Sequence, residues 1–196
     1  MLTISLKTVE HRSQSAYAHD LLERAAGPIE DGEILLSEHG KPYFGEGGRQ
    51  GLCFNLSHAK GITACLTAEE ECGVDCECVR AMKMGALKKA YSPEERELVL
   101  SLPEGQQRDL MFFRLWTLKE AYVKAIGIGV SYPLEKVAFS FQGDRIVTDI
   151  EGYGFSQLII NGGRAVVSVC IKNRRMGNVG KAEIDEEGLE VFMTEE

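Results

Sequence analysis

One stretch of this 196-residue chain, residues 110–126, limits the possible folds more than any other because it is apolar on nearly every side. A helix with apolar residues around its whole circumference is stable only when it is buried. The same stretch carries Lys119, Glu120 and Lys124, and a charge inside a protein needs a partner charge, hydrogen bonds or a metal ion. The stretch therefore predicts a core helix whose charged side chains have specific partners.

Glu120 and Lys124 stand four positions apart, so they share one face of this helix with Trp116. The structural alternative is a surface ion pair at this spacing, which stabilises a helix by only about 0.3 kcal/mol. The apolar surroundings favour a functional pair over a surface pair.

A second pair of charges lies in a predicted strand, residues 73–79, where Asp75 and Glu77 are two positions apart. Side chains at that spacing project from one face of a strand, and neighbouring carboxylates repel each other unless one is protonated or a cation bridges them. Hard oxygen ligands suit magnesium, which proteins often hold with a few carboxylates and a substrate phosphate. Taken alone, an Asp-x-Glu pair more often marks the polar outer face of a half-exposed strand.

Two further segments place polar groups in predicted turns and loops. Ser57 and His58 follow a predicted strand at 52–56 and could contact phosphate, although a serine turn with an exposed histidine is equally compatible. No G-x-S-x-G sequence surrounds Ser57, which argues against a catalytic serine triad. Lys41 lies in a glycine-rich loop, residues 39–48, which lacks the spacing of a Walker phosphate loop, so by itself it indicates only a solvated charge.

Composition narrows the class of protein. Apolar residues make up 44% and charged residues 27% of the chain, and its length suits one compact domain or two small lobes. The net charge of −8 argues against a nucleic-acid-binding protein. The first ten residues lack the apolar core of a signal peptide and no run approaches a membrane span, so we expect a cytoplasmic location without a membrane partner. Six cysteines without a C-x2-C pair predict reduced structural thiols rather than a zinc site or a disulfide framework.

The pattern predicts strand-rich regions on both sides of a helical region. Strands are expected at 2–6, 33–36, 52–56, 62–67, 73–79, 137–141, 145–150, 155–161 and 165–171, and helices at 11–26, at 86–91, from 92 onward and within 103–126. Ser92, followed by proline and two acids, has the sequence of a helix start. A strand–turn–strand pattern at 52–67 and again at 155–171 is a weak sign of internal duplication.

The order and spacing of the polar segments closely resemble the signature of surfactin-type 4'-phosphopantetheinyl transferases. The matching segments are Gly40-Lys41-Pro42, Phe54-Asn55-Leu56-Ser57-His58, Gly73-Val74-Asp75-Cys76-Glu77 and Trp116-Thr117-Leu118-Lys119-Glu120-Ala121-Tyr122-Val123-Lys124. The D-x-E and W-x-x-K-E-x-x-x-K motifs are highly specific in combination. The resemblance extends over residues 11–171, most of the chain.

This resemblance implies an α+β fold of two similar lobes in a pseudo-twofold arrangement, each a small antiparallel sheet packed with helices, with coenzyme A between them. The N-terminal lobe would be residues 1–72. The C-terminal lobe would be residues 73–196, with the magnesium site and an acidic tail from residue 181 that fits a helix, a strand or a loose tail. A monomer is expected from such an arrangement.

The resemblance also implies roles for residues at matching motif positions. Asp75, Glu77 and Glu120 would hold Mg²⁺, and Glu120 and Lys124 would be catalytic. The coenzyme A phosphates would contact a set of basic and hydroxyl side chains: Arg12, Lys41, Ser57, His58 and Lys124.

The implied reaction transfers the 4'-phosphopantetheine arm of coenzyme A to a serine of an apo acyl or peptidyl carrier protein and releases 3',5'-ADP. Glu120, or a water on the metal, would take the serine proton, and Lys124 would donate to a phosphate oxygen. Carrier proteins of fatty-acid, polyketide and nonribosomal-peptide biosynthesis are all open as partners. Residues 82–89, with three lysines among apolar residues, form either a carrier-docking surface or an ordinary amphipathic helix.

One departure from the family pattern and two rival functions stay open. The segment before His11 and Arg12 has only ten residues, shorter than is usual in the family, which implies weaker coenzyme A binding or a different route around the cleft. A two-carboxylate phosphoryl-transfer enzyme such as a nucleotide hydrolase would not explain why the Asn-Leu-Ser-His and Trp-x-x-Lys-Glu segments occur together. Retention of all three carboxylates argues against a non-catalytic carrier- or nucleotide-binding module.

Overall fold

The computed structural model describes residues 1–5, 13–45, 49, 51–184 and 189–191, with only the backbone described for Leu2, Val130 and 189–191. The α-helices in these ranges are α1 (Gln14–Ala26), α2 (Met84–Ala90), α3 (Pro93–Ser101) and α4 (Gln106–Ile126). The strands are β1 (Leu2–Ser5), β2 (Ile34–Leu36), β3 (Pro42–Phe44), β4 (Cys53–Ala59), β5 (Ile62–Ala68), β6 (Cys72–Cys78), β7 (Ser140–Gln142), β8 (Arg145–Val147), β9 (Tyr153–Ile160), β10 (Ala165–Lys172), β11 (Val179–Ala182) and β12 (Leu189–Val191).

The two four-stranded sheets share one topology over three strands, while the fourth strand lies beside β1 in one sheet and beside β9 in the other. The first has the strand order β12-β1-β5-β4 and the second has the order β11-β9-β10-β6. In each, a first strand (β1 or β6) is followed by helix, by a short hairpin (β2–β3 or β7–β8) and by a longer hairpin whose last strand pairs antiparallel with the first. The predicted α+β fold of small sheets packed with helices is confirmed, and the repeated pattern at 52–67 and 155–171 corresponds to the longer hairpins. The predicted lobe boundary after residue 72 stays a prediction.

The fold prediction expected antiparallel sheets, but the second sheet also contains one parallel pair. β11 pairs in parallel with β9, from Val179 opposite Gln157 to Ala182 opposite Ile160. A parallel pair needs a connection that returns the chain to the same end of the sheet. β10, which lies between these strands in the sequence, supplies that return by running antiparallel to β9.

The two sheets share an apolar core, and each has a helix on its outer side. Alternate residues of β5, β6 and β10 meet between the sheets, among them Ile62, Leu66, Val74, Val167 and Val169, all at most 1% exposed. The opposite face of the first sheet packs on α1, and the opposite face of the second packs on α4. Asp75 belongs to the α4 face of the second sheet because it alternates with Val74 and Cys76.

Helix α4 is the predicted core helix, and the prediction of its burial is confirmed. Its buried residues lie on several sides and include Phe112, Leu115, Leu118 and Ala121. Gly127 ends the helix in the left-handed conformation, with φ of 69°. The helix lies very close to β6, because a Cβ atom on Gly73 would be 2.1 Å from the carbonyl oxygen of Ala121.

The start of α3 also agrees with its sequence. Ser92 accepts from the backbone N–H of Glu95 at 3.2 Å, and the Glu95 carboxylate accepts from the N–H of Ser92 at 2.8 Å. This reciprocal pair is a capping box. It holds Glu95 in the interior, where the residue is only 2% exposed.

Two predicted loops are partly strands. Ser57 and His58 lie within β4 rather than in a turn, because β4 stays paired with β5 as far as Ala59 opposite Ile62. The connection is then only Lys60 and Gly61, and Gly61 has a φ of 84°. The loop around Lys41 likewise contains β3, which pairs with β2.

Two other expectations concern the cysteines and the membrane. All six cysteines are free thiols, and burial raises the pKa of Cys65, Cys72 and Cys76 to about 12. Within the described ranges, no helix combines the length and apolar character needed to cross a bilayer.

Candidate active site

The site lies at a seam where the two sheets meet edge to edge. β4 and β6 are edge strands of different sheets, and side chains of β4 accept hydrogen bonds from the backbone of β6. Asn55 Oδ1 accepts from the N–H of Val74 at 2.8 Å, and Ser57 Oγ accepts from the N–H of Cys76 at 3.2 Å. Exposed edge N–H groups of a strand need partners. Here side chains supply them, which brings Ser57 next to the Asp-x-Glu strand.

Asp75, Ser57 and Lys124 form a compact polar cluster at this seam. Ser57 donates to Asp75 Oδ1 at 3.0 Å, and Lys124 Nζ donates to the same oxygen at 2.7 Å and to Ser57 Oγ at 2.9 Å. Asp75 is only 7% exposed. The structure therefore brings together three of the predicted site residues from β4, β6 and α4.

The charge of Lys124 is stabilised by this arrangement. Burial alone would lower the pKa of Lys124, but the carboxylate of Asp75, with smaller contributions from Cys76 and Glu120, outweighs burial and raises it above the ordinary value. Lys124 thus stays a cation at the edge of the cleft and can serve as a hydrogen-bond donor to an anionic ligand.

Glu120 lies between two cavities. One, of about 240 Å³, is also lined by Lys41, Asn55 and Lys124. The other, of about 530 Å³, is lined by Trp116 and mainly apolar residues of α2 and the segment after α4. Burial raises the pKa of the Glu120 carboxyl, the nearby carboxylates of Asp75 and Glu77 raise it further, and Lys124 partly opposes them. A carboxylate of raised pKa is a stronger base than an ordinary glutamate.

Each of the three predicted metal ligands has a different environment. Asp75 is paired with Lys124, whereas Glu77 is paired with Arg80 at 2.7 Å. Glu120 is close enough to both acids for their charges to raise its pKa. Nowhere in the described ranges do three His, Cys, Asp or Glu side chains surround one point in an arrangement ready to hold a metal. The assignment of Asp75, Glu77 and Glu120 as metal ligands stays a prediction.

The chemistry of these residues nevertheless fits a hard divalent cation. Asp75 Oδ2 is buried and has no hydrogen-bond partner among the described residues. A buried carboxylate oxygen without a donor is costly unless a cation can reach it. Together with two neighbouring glutamates, this oxygen provides the donor type that magnesium prefers.

The other predicted phosphate contacts are not gathered around one point. Lys41 Nζ donates to the carbonyl oxygens of Cys72 at 3.1 Å and Ala125 at 2.6 Å, so it joins the start of β6 to the end of α4. Burial lowers its pKa, and the nearby Cys72 and Glu71 oppose that effect. His58 is exposed, and by strand alternation its side chain points to the opposite face of β4 from Ser57.

Lys41 also borders a larger cleft. This cleft has a volume of about 910 Å³ and is lined by the β2–β3 hairpin, the start of β4 and the end of α4. Arg12, predicted to contact the nucleotide, lies outside the described residues. The contacts predicted for Arg12, Lys41, Ser57, His58 and Lys124 stay predictions.

The partner of Lys119 was not among the residues predicted from the sequence. Lys119 is fully buried and pairs with Glu95 of α3 at 2.7 Å. Its Nζ also donates to the carbonyl oxygens of Leu134, at 2.9 Å, and Val137. Glu95 Oε1 in turn accepts from the N–H of Phe139 at 2.9 Å. The signal was present, because a charge in an apolar helix requires a partner and the capping box placed a buried acid nearby.

Comparison with known proteins identifies relatives of this chain. The family model described as "4'-phosphopantetheinyl transferase superfamily" matches residues 71–169. The 4'-phosphopantetheinyl transferase HetI of Nostoc sp. is 34% identical over 131 residues, which cover 62% of this chain and 55% of that protein. The 4'-phosphopantetheinyl transferase Sfp of Bacillus subtilis is 28% identical over 114 residues, which cover 58% of this chain and 50% of that protein. This chain spans about half the length of the curated relatives it matches.

A solved structure is also similar. The crystal structure of Thermotoga maritima holo-acyl-carrier-protein synthase (AcpS) is 20% identical, with a TM-score of 0.43 over 54% of this chain and 64% of that chain.

Proposed function

The chain belongs to the 4'-phosphopantetheinyl transferase superfamily, as the sequence signature predicted, and from this membership we propose that it is a 4'-phosphopantetheinyl transferase. Its substrates would be coenzyme A and an apo acyl or peptidyl carrier protein, and 3',5'-ADP would leave. A cytoplasmic location and a monomeric state belong to the same proposal.

One observation carries this proposal. The residues matched to the family, 71–169, contain all four groups assigned to the chemistry: Asp75, Glu77, Glu120 and Lys124. Three of them are coupled in the fold, since Lys124 bonds to Asp75 and both influence the pKa of Glu120. A nucleotide hydrolase with two carboxylates has no comparable support.

Glu120 is the proposed base. The serine hydroxyl of the carrier attacks the β-phosphorus of coenzyme A, a new P–O bond forms to the serine, and the bond to the oxygen of the departing 3',5'-ADP phosphate breaks. The serine proton passes to the Glu120 carboxylate. Its position beside the cavity that Lys41 and Lys124 also line supports this role, and a positioned base contributes about 10²–10⁴-fold to a rate.

Lys124 and Lys41 are the proposed phosphate-binding groups. Lys124 lies one turn beyond Glu120 on α4 and stays cationic beside Asp75, so it can donate to a phosphate oxygen on which charge develops. Lys41 and Lys124 both line the 240 Å³ cavity with Glu120. Ser57 orients Lys124 through its hydroxyl oxygen, which accepts from Nζ. His58 and Arg12 are retained from the family comparison as further contacts to coenzyme A.

Asp75, Glu77 and Glu120 are the proposed holders of Mg²⁺. The ion, when bound, neutralises charge on the pyrophosphate and on the leaving group. The unpartnered oxygen of Asp75 supports this assignment.

The proposed docking surface for the carrier is residues 82–89 on and before α2. Leu87 is buried against the core, whereas Lys83, Lys88 and Lys89 are exposed and Met84 is 47% exposed. Lys89 also lines the 530 Å³ cavity that reaches Glu120. A basic surface with one exposed apolar residue at the mouth of that cavity suits an acidic partner that delivers a serine.

The decisive experiment combines two readouts with a panel of apo carrier proteins. Mass spectrometry of each carrier after incubation with coenzyme A and Mg²⁺ would reveal the added arm, while chromatography would quantify 3',5'-ADP. We expect 3',5'-ADP only when a carrier is present. Its release without carrier would indicate a hydrolase, and its absence with every carrier would indicate a binding module.

A further inference from the structure

Asn55 of β4 is almost completely buried, yet half of its side-chain amide is unused. The residue is 4% exposed, and its Oδ1 accepts from the backbone N–H of Val74 at 2.8 Å. Because a backbone N–H can only donate, this contact fixes which end of the amide faces β6. The amide nitrogen, Nδ2, is therefore the end that is turned away from the Val74 N–H.

The nitrogen of this amide is a hydrogen-bond donor without an acceptor. In the part of the chain that the structure describes, no atom accepts from Asn55 Nδ2. Nor is Nδ2 one of the fully enclosed side-chain atoms that lack a partner there, so it reaches open space. Asn55 lines the 240 Å³ cavity that also contains Glu120. Since an amide donor without an acceptor is costly, a molecule in this cavity is the natural partner of Nδ2.

The other donors of the cavity indicate what kind of molecule this is. Lys41 and Lys124 line it as well, and each ammonium group has three N–H donors. Among the described residues, Lys41 donates to two backbone carbonyls, and Lys124 donates to Ser57 and Asp75. Each lysine therefore has one donor left. Two cations and one amide donor around a small cavity suit an anion with several acceptor oxygens, as a phosphate group has.

We propose that Asn55 is a phosphate-binding residue, which donates through Nδ2 to a phosphate oxygen of coenzyme A in the 240 Å³ cavity. The inference rests on the proposed function for the identity of the ligand. The bond from the Val74 N–H holds the amide in place before the ligand arrives, so little side-chain freedom is lost on binding. The contact between the edges of the two sheets thus orients a donor of the site.

Two substitutions remove the donor and keep the acceptor that β6 needs. Ser57, two residues further along β4, accepts from the N–H of Cys76 through its hydroxyl oxygen at 3.2 Å. Asn55→Ser should serve the N–H of Val74 in the same way, but it lacks the amide nitrogen. Asn55→Asp keeps the shape of the side chain and an acceptor oxygen, and it replaces the donor with a carboxylate oxygen.

Isothermal titration calorimetry of coenzyme A with the full chain, without a carrier protein, measures the Kd, and urea denaturation measures stability. We expect Asn55→Ser to raise the Kd about tenfold at an unchanged urea midpoint. Asn55→Asp should raise it further, about 100-fold, because a carboxylate repels phosphate. The control is Asn178→Ser at an exposed asparagine that lines neither cavity beside Glu120, and its Kd should equal that of the wild type.

An Asn55→Ser protein with the wild-type Kd would overturn the inference, as would a Kd raised equally by Asn178→Ser. If Asn55→Ser does not fold, Asn55→Asp decides, since a raised Kd supports the inference and an unchanged Kd overturns it. A wild-type protein that does not bind coenzyme A would overturn both this inference and the proposed function. Failure of the transfer assay with these affinities as expected would reject the proposed function and leave this inference standing.

Discussion

Two lysines of α4, five residues apart, make similar ion pairs in very different surroundings. The pair between Lys119 and Glu95 and the pair between Lys124 and Asp75 both have N–O distances of 2.7 Å. The side chain of Lys119 is 0% exposed, whereas that of Lys124 is 30% exposed. Burial lowers the pKa of Lys119 despite the opposing charge of Glu95, while the pKa of Lys124 is raised because Asp75 outweighs burial.

The two lysines also differ in how many of their N–H donors are already in use. An ammonium group has three donors, and Lys119 uses all of them on Glu95 and two backbone carbonyls of the segment after α4. Lys124 has two hydrogen-bond partners in the described part of the chain, Ser57 and Asp75, and it lines a cavity. Lys119 therefore holds Leu134, which lines the 530 Å³ cavity. Lys124 keeps one N–H donor for a ligand.

The largest stability effect is expected at the buried pair. Lys119→Met leaves the Glu95 carboxylate buried without its counter-charge, so we expect the free energy of unfolding to fall by about 3–5 kcal/mol. Urea denaturation measures this change. The matched control is Lys124→Met, at the more open pair. A Lys119→Met protein as stable as wild type would show that the buried pair is not needed for stability.

The next effect is on transfer rather than on stability. Lys124→Met should reduce kcat for arm transfer about 10²–10³-fold, as loss of one transition-state donor does. Its free energy of unfolding should fall by only about 1–2 kcal/mol, because Asp75 keeps its hydrogen bond from Ser57. Steady-state kinetics with an apo carrier protein measures kcat. Near-normal turnover would contradict the assignment of Lys124.

The reverse change at the buried pair tests the same charge from the other side. Glu95→Gln leaves the fully buried Lys119 without its counter-charge, so we expect the free energy of unfolding to fall by about 3–5 kcal/mol, as for Lys119→Met. Transfer per folded molecule should stay at the wild-type rate. A kcat loss comparable to that of Lys124→Met would instead place Glu95 in the chemistry.

The smallest effect is expected at an exposed pair. Lys172 and Glu71 are 3.0 Å apart, with side chains 40% and 51% exposed, and solvent screens such pairs strongly. Lys172→Ala should leave the urea midpoint and kcat unchanged within error. A shift of the midpoint as large as that of Lys119→Met would show that the contribution of an ion pair to stability does not follow its burial.

Local signals in the sequence predicted the elements that carry the site. The helix start at Ser92, the apolar run of α4 and the strand at 73–79 depend on residues close in sequence, and all three elements are present. The family signature then predicted roles for particular acids and lysines, and those roles stay predictions. These inferences needed no knowledge of which strand neighbours which.

Contacts between distant residues could not be predicted in the same way. The bond from Lys124 to Asp75 joins residues 49 positions apart, and that from the Val74 N–H to Asn55 joins two edge strands of different sheets. Turn sequences and hydrophobic periodicity do not predict hydrogen bonds between side chains of β4 and the backbone of β6. For the same reason Ser57 was predicted to lie in a turn, although it belongs to β4 and bonds to the strand beside it.

Gly73 sets how closely the acids of β6 approach Glu120 of α4. The absent methyl group at this position lets the backbone of β6 touch the backbone of α4. Asp75 and Glu77 follow on that strand, and Glu120 directly precedes the helix residue, Ala121, that Gly73 meets. The helix already lies as near as backbone atoms allow, so substitution at position 73 can only widen the gap between the acids. The spacing between Glu120 and the acids of β6 thus depends on a residue that has no side chain.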